Sequence, residues 1–135
     1  MQNWACAAAA AAGLTGAGGI ILAAAAAHGV PDPGLQTAAN FVMLHAAATL
    51  AVCGLALAVP QGGIWLIGAA GLFLSGSLLF GGDLSARALA GTRLFPMAAP
   101  LGGTLLIFGW ALVTLAALII MRQSGDGKPD QNVDG

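Results

Sequence analysis

Two histidines, His28 and His45, are the residues of this sequence whose type could support chemistry. An imidazole can bind haem iron or a metal ion, and it can relay protons near neutral pH. Both lie within or next to long apolar segments, where an ionisable side chain is costly and suggests a function. A second interpretation is structural: each imidazole forms a hydrogen bond between helices, to Ser75, Ser77 or a backbone carbonyl.

The sequence favours the structural interpretation, because no cluster of carboxylates supports the two histidines as ligands. We therefore predict no resident cofactor and no metal site, with haem or a metal at His28 and His45 as the alternative. The two cysteines, Cys6 and Cys53, form no CxxC pair and are expected to be small buried packing residues, with a disulfide between them as the alternative. No nucleophile and base occur at a supporting spacing, so the sequence predicts no catalytic residue and no enzyme.

A second set of polar residues lies in or near the connections between the apolar segments. Asp83 and Arg87 are four residues apart, the spacing of an ion pair on a helix. Capping of helices and anchoring to lipid headgroups explain these residues most simply. Alternatively, Arg87 or Arg93 binds an anionic lipid or a partner subunit. We call the predicted group the polar cap, and its members are Asp32, Ser75, Ser77, Asp83, Arg87 and Arg93.

The composition identifies the solvent that the chain requires. Of its 135 residues 59% are hydrophobic and 7% are charged, whereas a soluble domain has roughly 25% charged residues. Such a surface suits lipid rather than water. A net charge of −1 without a basic patch predicts no nucleic-acid partner. The sequence predicts an all-α bundle of four transmembrane helices, with spans at about 4–27, 38–59, 64–80 and 101–121.

Residues 1–122 are expected to form a single transmembrane domain, and the polar tail 123–135 is expected to be disordered. Asp32 can cap the second helix, with Pro33 in its first turn. Between the third and fourth spans, Asp83 could cap a short interfacial helix over 84–90, with Gly91 ending it.

Four spans place both termini on one side of the bilayer and the polar cap on the other. Trp4 and Trp65 begin the first and third spans and so fall at the same interface, as tryptophan prefers. Arg122 directly follows the last span, which favours the cytoplasmic side for both termini. Trp110 lies in mid-span and must pack or find a partner for its N–H group.

Pairs of small residues four apart recur in three spans, with Gly13, Gly54 and Gly71 beginning the pairs. Such pairs let helix backbones approach closely in lipid. Packing within the bundle is the simpler expectation. The alternative is a face for a homo-oligomer or for other membrane subunits.

Several short motifs, in this order and spacing, resemble a bacterial membrane-protein family called domain of unknown function four-two-three, which is related to the animal transmembrane protein two-five-six. The motifs lie at 26–29, 43–46, 74–78, 99–103 and 109–110. The resemblance covers about 4–118 and implies four transmembrane helices in the bacterial inner membrane, with no established activity.

The family pattern matches His28 and His45, and it has small polar residues at Ser75 and Ser77. Leu79 stands where the family usually has tyrosine, and the first connection lacks the usual basic residues. The most consistent functional hypothesis is a non-enzymatic accessory or scaffold subunit of a membrane complex. A cofactor-binding, proton-relay or transport protein that uses the two histidines is the alternative.

Overall fold

The computed structural model describes residues 2–29 and 31–126, and it contains four long α-helices in this part of the chain. All four are long and apolar enough to cross a membrane. The all-α class and the four membrane-spanning helices predicted from the sequence are therefore confirmed. The helices are α1 (Gln2–His28), α2 (Pro33–Ala58), α3 (Gly63–Ala90) and α4 (Ala98–Asp126).

Local signals set the boundaries of α2 and the end of α3. The Asp32 carboxylate accepts a hydrogen bond from the Leu35 N–H at 3.0 Å, with Pro33 as the first helical residue. A single 3-10 turn, Pro60–Gly62, connects α2 to α3. Gly91 ends α3 in the left-handed conformation at φ +67°, which glycine adopts without strain. These caps agree with the sequence expectations.

The separate interfacial helix predicted over 84–90 is wrong, because α3 runs without a break from Gly63 to Ala90. Its 28 residues extend roughly 42 Å at 1.5 Å per residue, beyond the hydrocarbon core. The glycines before Asp83 do not form a turn. Gly81 instead lets α2 approach, since a Cβ atom there would lie 2.5 Å from the Val42 side chain.

The last helix is also longer than predicted. It begins at Ala98, so Pro100 lies in its first turn, where a missing N–H is tolerated. It continues to Asp126, and residues 123–126, expected to be disordered, are helical. The Ser124 hydroxyl donates to the Ile120 carbonyl at 2.9 Å within this extension. The remainder of the predicted tail lies outside the described residues.

Consecutive helices are antiparallel neighbours, and α1 additionally lies beside α3. The helices α1 and α4 occupy the two outer positions. The core consists mainly of small side chains, such as Ala5, Ala8 and Ala70, around the larger Leu66 and Phe73. Antiparallel order brings the described ends of the chain, Gln2 and Asp126, to one end of the bundle.

The sequence analysis expected the small-residue pairs to pack within the bundle, and this prediction is wrong for the glycines of the pairs. A Cβ atom on Gly13, Gly54 or Gly71 would meet nothing within 4 Å, so none of these glycines is in close contact with another helix. Gly71 lines an open groove between α3 and α1. Other glycines bring backbones together instead. A Cβ atom on Gly102 of α4 would lie 2.5 Å from the Phe80 nitrogen of α3. The four-residue spacing identifies a helix face, but it does not determine towards which neighbour that face is rotated.

Candidate functional site

Four of the six predicted polar-cap residues lie at one end of the bundle. Asp32 precedes α2, Asp83 and Arg87 lie in the last two turns of α3, and Arg93 lies in the connection to α4. Since α2 and α3 are antiparallel, the start of one helix is next to the end of the other. From here the polar cap denotes these four residues.

Ser75 and Ser77 do not belong to the polar cap, because they occupy the middle of the long helix α3. The Ser75 hydroxyl donates to the Gly71 carbonyl at 2.8 Å, and the Ser77 hydroxyl donates to the Leu74 carbonyl at 3.1 Å. Both side chains thus satisfy their hydrogen-bonding needs within their own helix. The prediction failed because it ended the third span near residue 80, which moved the serines too close to the cap.

The Asp83 carboxylate is fully buried and connects α3 to the following loop. It forms an ion pair with Arg87 one turn later, as the spacing predicted. Its other oxygen accepts the Leu94 N–H at 3.0 Å. An ionised carboxylate is an acceptor with two oxygens, and both are used here. Asp83 therefore holds one arginine in place and fixes the loop after Gly91.

Both arginines line a cleft of about 580 Å³ between the end of α3 and the start of α4. The Arg87 side chain is 39% exposed, and Arg93 is exposed. Met97, immediately before α4, also lines the cleft and has a left-handed backbone at φ +74°. This conformation is uncommon for a residue with a side chain, and such strain is concentrated at functional sites. The cleft is our candidate functional site.

His45 lies at the middle of α2 rather than at the cap, and it is buried. Its Nδ1 atom is 2.8 Å from the Phe41 carbonyl oxygen, and its Nε2 atom is 3.3 Å from the indole nitrogen of Trp110. A carbonyl can only accept and an indole N–H can only donate. The partners therefore assign the proton to Nδ1 and make Nε2 the acceptor of the Trp110 hydrogen bond.

The two rings joined by this hydrogen bond pack with three phenylalanine rings, and we call the five rings the aromatic cluster. The His45 and Phe73 ring centres are 5.4 Å apart, and those of Phe73 and Trp110 are 5.0 Å apart. Phe41 and Phe80 extend the cluster, with ring centres 4.7 Å apart. The cluster joins α2, α3 and α4 in mid-bundle. The sequence analysis expected a partner for Trp110 but did not identify His45, because no local pattern links residues so distant in the chain.

His28 and His45 are not brought together. Gly16 of α1 lies beside Ala46 of α2, since a Cβ atom on Gly16 would be 3.4 Å from the Ala46 Cβ. His28 is twelve residues after Gly16, roughly 18 Å along the helix axis. It is exposed, and it is the last residue of α1. One haem or metal ion bound by both imidazoles does not fit this arrangement.

Residues 22–103 match the model of a family described as Protein of unknown function (DUF423). The chain is 33% identical over 90 residues to the UPF0382 inner membrane protein YgdD of Escherichia coli strain K12, and equally to YgdD of E. coli O157:H7 and of Shigella flexneri. The aligned part covers 66% of this chain and 66% of each relative, just under two thirds of their length. No solved structure matches the chain.

The family match extends from the last turns of α1 to the first turns of α4. It contains both histidines and the whole polar cap, together with the four helices' connections. The resemblance of the sequence motifs and the helical architecture agree with it. The chain therefore belongs to the DUF423 family of membrane proteins.

Proposed function

We propose that this protein is a non-enzymatic accessory or scaffold subunit of a complex in the bacterial inner membrane. The inner-membrane location is taken from the YgdD relatives, whose name includes it. The observation that carries the proposal is an outward-facing row of small residues on each of α1 and α2. Such rows allow a helix of another chain to approach the backbone closely, which is how helices associate in lipid.

On α1 the row consists of exposed residues at helical spacings of four, three and four. They are Cys6, Ala10, Gly13 and Ala17. On α2 the same spacings recur in another exposed row, made of Ala47, Ala51, Gly54 and Ala58. We call these two rows the small-residue face. Because its glycines have no protein atom near their missing Cβ, this face is open to a partner.

The hydrogen bonds of several polar side chains support a non-enzymatic role. The hydroxyl groups of Thr49, Ser77 and Thr114 all donate to carbonyls of their own helices. Both nitrogens of His45 form hydrogen bonds. Side chains engaged in this way serve packing, whereas a catalytic pair needs a nucleophile within reach of a base.

The expected burial is confirmed for Cys53 but is wrong for Cys6, which is exposed on the small-residue face. Cys6 therefore offers a direct test of the proposal. Cysteine cross-linking in native membranes should join Cys6 to a second copy or to another membrane protein. Native mass spectrometry from mild detergent should retain the same assembly. Cys6→Ser should abolish the cross-link, whereas Cys53→Ser should leave it unchanged.

Two leucine substitutions on α1 provide the matched control. Gly13→Leu should disrupt the assembly by blocking close approach at the small-residue face. Gly18 has equally open surroundings but lies in the groove towards α3, so Gly18→Leu should leave the assembly intact. A strict monomer in mild detergent, with no cross-link at Cys6 in membranes, would refute the proposed role.

A further inference from the structure

We propose that the cleft between α3 and α4 binds one anionic phospholipid. Its phosphate lies between Arg87 and Arg93, and one acyl chain lies along α4. This binding site is independent of the small-residue face, because it is formed by other helices and lies at the polar-cap end. It gives the arginines a ligand of defined chemistry in addition to the proposed scaffold role.

The charges of the cleft favour an anion. Two arginines line the cleft. Within the described residues, the Asp83 carboxylate forms an ion pair with one of them, Arg87. Two positive charges and one negative charge leave a net charge of +1. Arg93 makes no ion pair within residues 2–29 and 31–126. An arginine guanidinium can form two parallel hydrogen bonds with a phosphate group, so Arg93 is suited to bind one.

The start of α4 adds a second positive contribution. Met97, Ala99 and Pro100 line the cleft at the N-terminal end of this 29-residue helix. The aligned peptide dipoles give such an end a partial positive charge, which favours a bound phosphate. The buried Asp83 carboxylate holds Arg87 on the opposite wall, so the two arginines and the helix end surround the same volume.

The shape of the cleft favours a lipid over a free phosphate ion. Besides the arginines it is lined by Phe80, Gly103 and Ile107, which lie deeper in the membrane-spanning part. From Met97 to Ile107 the wall extends roughly 15 Å along α4. An inorganic ion would leave this apolar length empty, whereas an acyl chain would fill it.

Gly103 keeps the apolar part open. A Cβ atom at this position would lie 3.9 Å from the Phe80 ring, an ordinary contact that displaces nothing. A larger side chain at residue 103 would therefore occupy the cleft without forcing α3 and α4 apart. This property provides a substitution that blocks the ligand and preserves the fold.

Lipid binding can be measured by native mass spectrometry of the full chain in mild detergent, titrated with dioleoylphosphatidylglycerol or dioleoylphosphatidylcholine. We expect one equivalent of phosphatidylglycerol to be retained in preference to phosphatidylcholine. Arg93→Gln should weaken phosphatidylglycerol binding about fivefold, the effect of one arginine at an anionic membrane surface. Arg122→Gln, at the other end of α4, removes the same charge and should change nothing.

Gly103→Leu should reduce phosphatidylglycerol binding to the level of phosphatidylcholine while the unfolding transition stays in place. Equal retention of the two lipids would overturn the proposal, as would equal losses for Arg93→Gln and Arg122→Gln. A third outcome would assign the site to a soluble phosphate and exclude the lipid. In that case inorganic phosphate would displace the lipid, its binding would depend on Arg93, and Gly103→Leu would leave phosphate binding unchanged. These outcomes do not depend on cross-linking at Cys6, so the two proposals fail separately.

Discussion

The indole N–H of Trp110 on α4 donates a hydrogen bond to Nε2 of His45 on α2, with a nitrogen–nitrogen distance of 3.3 Å. The other ring nitrogen of His45, Nδ1, lies against the Phe41 carbonyl. Both imidazole nitrogens and the indole N–H therefore have hydrogen-bond partners in the apolar middle of the bundle. A histidine that looked like a ligand or a proton carrier in the sequence thereby has a structural explanation. It connects two helices that are not neighbours in the chain.

Replacing Trp110 by phenylalanine keeps an aromatic ring beside Phe73 but removes the N–H donor. We expect Trp110→Phe to lower the free energy of unfolding by about 1 kcal/mol, typical of a hydrogen bond between membrane helices. Equilibrium unfolding in mixed micelles measures this change. Trp65→Phe is the matched control at the far end of the bundle, and an equal loss for both variants would contradict the role of the hydrogen bond.

A double-mutant cycle with His45→Leu and Trp110→Phe should show that the two residues are coupled. Each single substitution removes the same hydrogen bond, so the double variant should be less destabilised than the sum by about 1 kcal/mol. Strict additivity would mean that the contact contributes nothing to stability.

The hydrogen-bond partners of His45 predict its tautomer. In ¹⁵N NMR of selectively labelled protein, Nδ1 should carry the proton and Nε2 should show the shift of an unprotonated nitrogen. In Trp110→Phe the Nε2 resonance should move, because its donor is lost. A proton on Nε2 in the original protein would refute the assignment.

Two glycine-to-alanine substitutions separate buried from open helix faces. In Gly102→Ala the new methyl group would meet the backbone of α3, with the Phe80 nitrogen at 2.5 Å and the Gly76 oxygen at 2.8 Å. Since backbone atoms cannot rotate away, we expect a loss of about 1–3 kcal/mol in unfolding free energy. Gly13→Ala should cause no loss, because the new methyl group meets nothing within 4 Å. Similar unfolding curves for the two variants would contradict the described packing.

The loop after α3 should depend on Asp83. In Asp83→Ala the Leu94 N–H loses its acceptor and Arg87 loses its partner. Hydrogen exchange at the Leu94 amide should therefore become several-fold faster, while exchange in the middle of α2 stays slow. Asp32→Ala is the control at the same end of the bundle, since it affects the cap of α2 but should not change exchange at Leu94. Unchanged exchange at Leu94 in Asp83→Ala would exclude the anchoring role.

Interactions between close neighbours in sequence could be predicted. Asp32 caps α2 and Asp83 pairs with Arg87 because each contact lies within one helical turn. The four spans were equally evident, since the sequence contains four apolar segments long enough to cross the bilayer. Asp83 shows the limit of such reasoning. Read locally it was a helix cap, yet it lies inside a continuous helix and binds a backbone amide eleven residues later.

Contacts between distant residues could not be predicted. The sequence indicated that the Trp110 N–H requires an acceptor and that His45, within an apolar span, requires a hydrogen-bond partner. Whether these two side chains meet depends on the rotation and depth of two separate helices. The same holds for Gly13 and Gly102. Both belong to glycine- and alanine-rich segments, and tertiary packing alone turns one towards lipid and the other onto α3.

The five rings of the aromatic cluster belong to α2, α3 and α4, whereas the buried residues of α1 are three alanines and a glycine. During synthesis α1 leaves the ribosome first, and Trp110 arrives only with the fourth helix. The aromatic cluster is therefore complete only after α4 has entered the bilayer, so its assembly depends on the last of the four helices to be synthesised.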